Sequence, residues 1–343
     1  WTEALVEARK VDHRLNVLTD RVDDADAYRN DAFARYVTGV LYEATGDLNN
    51  AFIAYRNAYE EYQRARAWSH TPVPEQLKAD LLRTTDALFL KEEHTRYRQA
   101  FEGVGWRSVK ETKDLAQLVV ISYNGRAPRK EDLFLDLPIS AEALHLVLLT
   151  KGATRGGHQN ARVAESVLYG LSGQVVRVAL PRLVPQKSSV NHVTVTARSD
   201  GQTVRAETEL VQNLTAVAEK SLRDQFAKRA AKAVARAALK FGLAEGAGIG
   251  ARAAAGKDAG PVVGLLVGLL AKIWAVSSEE ADKRSWRTLP DHIQLARLWV
   301  PRGAYELDLR PLGSVSSDGR GPDRRSVSVE RGETRLVIER IVR

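Results

Sequence analysis

In the stretch DAFARYVTGVLYEATGDLNNAFIAYRNAYEEYQ, Asp31 to Gln63, small and large residues recur at helical spacing. Gly39 is followed three residues on by Tyr42, Ala51 four residues on by Tyr55, and Ala58 three further. Small side chains on one helix let a second helix come close, and aromatic rings then fill the remaining gap. Gly46-Asp47 interrupts the pattern where a glycine can take the positive φ that ends a helix. The stretch therefore predicts two helices folded back on each other.

The spacing is that of a tetratricopeptide-like (TPR-like) repeat, although Arg35, Thr38 and Gln63 stand where that repeat usually has Trp, Leu and Pro. Upstream, Ala4, Leu5, Ala8, Val11, Leu15 and Leu18 fall on one helical face. They read as the second helix of an earlier repeat, with native sequence expected before Trp1, because solenoid units do not bury their faces alone. Downstream, Pro72 and Pro74 break the chain, Leu77, Leu81, Leu82, Thr85 and Leu88 mark another helix, and one more runs to about Phe101. Helical arrays of this kind usually hold protein partners, which makes Phe33, Tyr36, Val40 and Glu43 the candidate partner-binding face; the alternative is that the helices only pack against the following domain.

After Trp106 the period changes from helix to strand. LAQLVVISYNGRAPRK is an apolar strand ending in Asn124-Gly125, and SAEALHLVLLT reads as a short helix. GQVVRVALPRLVP reads as a strand closed by prolines, and HVTVTARSDGQTVRAETEL alternates on both sides of Asp200-Gly201 as a hairpin does. HIQLARLWV, AYELDL and TRLVIERIV are three further strands, and Ser316 to Arg325 reads as an exposed loop. The expected class is α+β, with TPR-like helices over 1–105 followed by a β-sandwich-like domain over 106–343. An α-helical hairpin is inserted in that domain at about 212–290.

The first half of the insertion places Lys228, Arg229, Lys232, Arg236 and Lys240 on one broad side, a candidate surface for anionic lipid or wall polymer. The second half, Pro261 to Val276, is apolar on every side except at Lys272. As a helix it would rise about 24 Å, short of the roughly 30 Å hydrocarbon core. Three roles stay open for it: packing inside the protein, contact between copies in an oligomer, and shallow insertion in a membrane.

Composition narrows the chemistry. With 51 basic and 43 acidic residues the 343-residue chain carries +8, which suits anionic partners, yet most such charges are simply a solvated surface. There is no cysteine and no methionine, so disulfides, thiol catalysis and thiolate metal sites are excluded. Gly248-Ile249-Gly250 with Ala253 has the spacing of a dinucleotide fingerprint but follows a helix rather than a strand. The seven histidines are isolated from one another: His145 reads as a core side chain and His292 as a turn residue. The expectation is a protein without catalytic residues, cofactor or metal site, and without a nucleic-acid partner.

Taken in order, ALVEARKVDHRLNVL, YRNDAFARYVTGVLYEATGDLNNAFIAYRNAY, LVVISYNGRAPRK, VRVALPRLVP and DKRSWRTLPDHIQLARLWVPRGAYEL resemble a family of bacterial outer-membrane lipoproteins with TPR-like repeats. The resemblance covers essentially the whole chain, and Ser285 to Pro290 is its most distinctive segment. Members are often encoded beside lipoproteins similar to activators of penicillin-binding proteins. The resemblance implies a periplasmic protein, anchored in the outer membrane by an N-terminal lipid, that acts as a scaffold for envelope proteins. It brings no catalytic residues to transfer, and the cysteine that would carry the lipid is not in this sequence. It also implies that Trp286 plugs the junction where the insertion returns to the sheet, with Arg284 or Arg287 satisfying nearby carbonyls or carboxylates. The alternative is a membrane-active or ring-forming component that uses Pro261 to Val276 as its contact.

Overall fold

The structure is a computed structural model that describes residues 2–20, 31–138, 175–224, 226, 286, 288–313 and 323–342. It is a mixed α+β protein with its helices first and its strands after. The chain forms two compact units, one of residues 1–128, 185–221 and 286–343, the other of residues 129–184 and 222–285.

In the first unit, helices α1 (Thr2–Asp20), α2 (Ala32–Ala44), α3 (Leu48–Ser69), α4 (Glu75–Ala87), α5 (Lys91–Ala100) and the short α6 (Val109–Thr112) come in sequence order. Two aspartates start the central pair. Asp31 accepts from the Ala34 N–H and Asp47 from the Asn50 N–H, each taking one of the donors a helix start leaves unpaired. The short link between α2 and α3 folds them together, with the rings of Tyr36 and Tyr55 5.8 Å apart. Gly39 faces Tyr55 so closely that a Cβ there would lie 2.4 Å from two of its ring carbons. Gly39→Ala is therefore expected to lower unfolding free energy by about 1–3 kcal/mol, read by urea denaturation, because Tyr55 is fully buried and has nowhere to move.

Helix α4 is started from a distance. Its N-cap, Pro74, offers no side-chain bond. The Glu75 and Gln76 N–H groups donate instead to the two carboxylate oxygens of Glu209, 134 and 133 residues away on strand β6 (Glu209–Asn213). Tyr62 Oη of α3 likewise donates to Val211 O of the same strand at 2.7 Å. These bonds attach helices to a sheet.

That sheet has the order β10–β1–β7–β6, comprising β1 (Ala116–Asn124), β6 (Glu209–Asn213), β7 (His292–Val300) and β10 (Thr334–Ile341). β1 runs parallel to β10 and antiparallel to β7, which also pairs antiparallel with β6. A second sheet, β5–β4–β8–β9, holds β4 (Val190–Ser199), β5 (Gln202–Glu207), β8 (Gly303–Gly313) and β9 (Asp323–Val329). The hairpin expected around Asp200-Gly201 is β4–β5, closed between Ser199 and Gln202 with Gly201 at φ 76°. Residues 323–325, expected in an exposed loop, instead begin β9, and Arg325 donates to Ile338 O of β10 at 2.7 Å.

The central strands of the first sheet, β1 and β7, are buried on both faces. Val119, Ile121, Ile293 and Leu295 join the helical core of Tyr36, Val40, Tyr55, Leu77 and Leu81. Leu118, Val120, Ala296 and Leu298 point the other way and pack with Val193, Val195, Leu307 and Leu309 of the second sheet. Burial on both sides explains why β1 and β7 are almost continuously apolar. The helical core thus spans the position near 105/106 where the residue period changes.

The chain leaves the first sheet at Asn213, continues as helix α7 over residues 214–224, and returns at His292, which is paired with Asn213. In the second unit, β2 (Arg129–Pro138) and β3 (Val175–Val184) pair antiparallel. The expected helix over 140–150, the basic face of Lys228, Arg229, Lys232, Arg236 and Lys240, and the apolar 261–276 run lie outside the described residues. So do Arg284 and Arg287. Among the described residues no helix is long and apolar enough to cross a membrane.

Candidate functional site

Of the four residues expected to face a partner, Tyr36 and Val40 are buried, Phe33 packs on the same core, and Glu43 is almost enclosed. The face they form is interior because strand β7 sends a cation up into it. Arg297, in the middle of HIQLARLWV, donates to Glu43 Oε2 at 2.8 Å, to Asp80 Oδ2, and to Tyr55 Oη at 3.2 Å. From α4, Arg83 donates to both Glu43 oxygens at 2.8 Å and to Asp80 Oδ1 at 2.8 Å, with its guanidinium 5.4 Å from the Trp299 ring centre.

Two arginines thus meet two carboxylates out of water, and two tyrosines complete the set. Tyr36 donates to Asp80 at 3.0 Å and Tyr55 to Glu43 at 2.6 Å. Burial pushes both phenols well above their ordinary range, so they stay protonated and donate. Burial alone would raise Glu43, but Arg83 and Arg297 outweigh it and hold its carboxyl down to about 2. Sequence reading named Glu43, Tyr36 and Val40 for the wrong surface and passed over Asp80, Arg83 and Arg297. A signal was present: an arginine inside an apolar strand, and an Asp-Arg pair three apart on the face of Leu77 and Leu81.

Trp286 does not plug the junction; it is 72% exposed. The return to the sheet is fastened by backbone and by Asp291 instead. Asp291 N–H donates to Asn124 O and Ala127 N–H to Leu289 O, both at 2.8 Å. The Asp291 carboxylate accepts from Thr215 Oγ1 at 2.5 Å, from the Ser188 N–H at 3.0 Å and from His292 Nδ1 at 3.2 Å. Burial raises this carboxyl, and these three bonds outweigh burial to leave it lowered.

Asp291 forms part of the floor of an open cleft of about 390 Å³, between the end of α3, the 187–191 segment, the β6–α7 junction and the start of β7. The floor is already paired with itself. Thr208 Oγ1 accepts from the Val193 N–H, so its proton goes to Gln294 Oε1 at 2.8 Å. That orients the Gln294 amide, whose nitrogen donates to Asn191 O at 2.6 Å and faces His292 Nε2 at 3.2 Å. An amide nitrogen only donates, so His292 Nε2 accepts and its proton sits on Nδ1, toward Asp291. Neither ring nitrogen is left over to act as a base. The polar groups of this floor are thus paired with one another. Among the described residues, no group of three His, Asp or Glu side chains converges as metal ligands.

Compared with protein-family models, curated proteins and solved structures, the chain matches none.

The remaining feature is Phe89, between α4 and α5. The Leu90 N–H donates to Thr85 O and the Leu88 N–H to Thr84 O, a helix end that puts Phe89 at φ 57°. Glycine ordinarily takes that position. A phenylalanine there pays a steric penalty, and its ring is 82% exposed, so no burial offsets it.

Proposed function

We propose that this protein is a non-enzymatic scaffold of the bacterial cell envelope, periplasmic and held at the outer membrane by an N-terminal lipid, that docks a protein partner on its TPR-like helices. The α2–α3 pair, interlocked through Gly39 and Tyr55, supports the TPR-like reading, and the core shared by the two four-stranded sheets supports a sandwich-like body. The envelope location rests on the resemblance of the five quoted segments. The observation that carries the docking role is Phe89, an exposed ring in a conformation that costs stability, with no ring stacking or core contact among the described residues. Aromatic side chains of this kind dominate protein interfaces when a partner encloses them. Asp86, Glu92 and Glu93 lie close to it in sequence, with Asp86 and Glu92 exposed, so the partner offers an apolar socket with a basic rim.

The test sets stability against binding. Phe89→Gly is expected to raise unfolding free energy by about 1 kcal/mol, since glycine accepts the left-handed conformation. In the native cell it should remove the adducts formed by a photoreactive residue at the exposed Lys91 position, whereas Phe89→Tyr should keep them. Unchanged adducts in F89G, or a loss of stability, would argue that the ring serves the fold and not a partner.

A further inference from the structure

Above the self-paired floor of the cleft stand four polar side chains, His70, Lys187, Asn191 and Glu219. Among the described residues none of them has a side-chain hydrogen bond or ion pair. His70 is fixed by its backbone: it ends α3 at φ 53°, its N–H donating to Arg66 O at 3.3 Å. Lys187 follows β3, and Glu219 lies on α7, the helix that Asn213 starts by accepting from the Ala216 N–H at 3.0 Å. A cation and a carboxylate therefore line one cleft without pairing with each other, while Leu210 and Ala216 add apolar wall.

We propose that the cleft binds a small zwitterion, a free amino acid or short peptide, with its carboxylate at Lys187 and its ammonium at Glu219. A simple anion would meet Glu219 uncompensated, and a simple cation would meet Lys187, so a ligand with both charges separated fits the lining best. The volume, about 390 Å³, falls in the range of small-molecule clefts. Asp291, His292 and Gln294 are occupied with one another, so they present a fixed surface and do not compete for the ligand's charges. Leu210 and Ala216 accept a small apolar side chain. The role is retention of the ligand, independent of Phe89 and of any partner docked there.

Calorimetric titration with Ala-Ala, N-acetyl-Ala-Ala and Ala-Ala amide tests this directly on the intact chain. Ala-Ala is expected to bind, and capping either end should weaken binding roughly fivefold, the value of one solvent-facing ion pair. Lys187→Gln should abolish the penalty for the C-terminal amide alone, and Glu219→Gln the penalty for the N-acetyl group alone. Neither side chain has a partner among the described residues, so neither substitution should alter the melting temperature. The proposal is overturned if Ala-Ala gives no heat up to about 10 mM, if capped and free forms bind alike, or if either substitution weakens all three ligands equally.

Discussion

Arg297→Met is expected to lower the free energy of unfolding by about 3–5 kcal/mol, the usual consequence of breaking a buried ion pair from one side. Methionine fills much of the volume, so the loss is electrostatic. Asp80 and Glu43 would be left with Arg83 as their only cation, and the Tyr55 hydroxyl would lose the Arg297 contact. The Nε of Arg297 is buried without an acceptor, so its removal recovers a little of what burial costs. That recovery tempers the loss without reversing it. Urea denaturation should show the drop, and it should persist at high salt because ions do not screen a pair enclosed by protein. Adding Asp80→Asn to the variant should restore part of the stability, since Arg83 is then left balanced by Glu43 alone. A drop below about 1 kcal/mol would mean that the Arg297 ion pairs add little to holding the helices on the sheet.

Acid should find the same cluster. The Glu43 carboxyl is held at about 2 from a usual value of 4.5, so the folded state binds its proton less readily than the unfolded state. Its contribution is present in full above the unfolded value and is lost as pH falls from 4.5 toward about 2. The shift corresponds to about 3 kcal/mol across that window. Stability measured by urea at a series of pH values should therefore fall steeply in this range. Glu43→Gln should be less stable at neutral pH, where it strands part of the charge on Arg83 and Arg297, and flatter below 4.5. An equally steep acid limb in E43Q would assign the transition to other carboxylates.

Local patterns were enough for the elements whose partners are close in the chain. Gly39, Ala51 and Tyr55 foretold a close helix pair, and Asp200-Gly201 foretold a hairpin, because both depend on residues near one another in the chain. The strands β2 and β9 were missed: RKEDLFLDLP and DRRSVSV carry charges that look like loop, although their backbones pair along β3 and β8. The surface assigned to Phe33, Tyr36, Val40 and Glu43 failed for a related reason. A helix face rich in aromatics and one carboxylate reads equally well as a groove for another protein or as the seat of this protein's own sheet.

What the sequence alone determined is that helices come first and strands after, the close approach of α2 and α3 at Gly39, the hairpin at Asp200-Gly201, and the absence of cysteine from this chain. These depend on residue type and on neighbours a few positions apart. Tertiary structure decided the rest: Glu209 starting α4, Arg297 meeting Glu43 and Asp80, and the Asp291–His292–Gln294 floor of the cleft. Each of these joins residues more than 80 positions apart or orders neighbours through such a partner, and a charge's value depends on what surrounds it. Hydrophobic spacing carries no record of which distant charge will be buried beside another, because that pairing exists only once the sheet has closed beneath the helices.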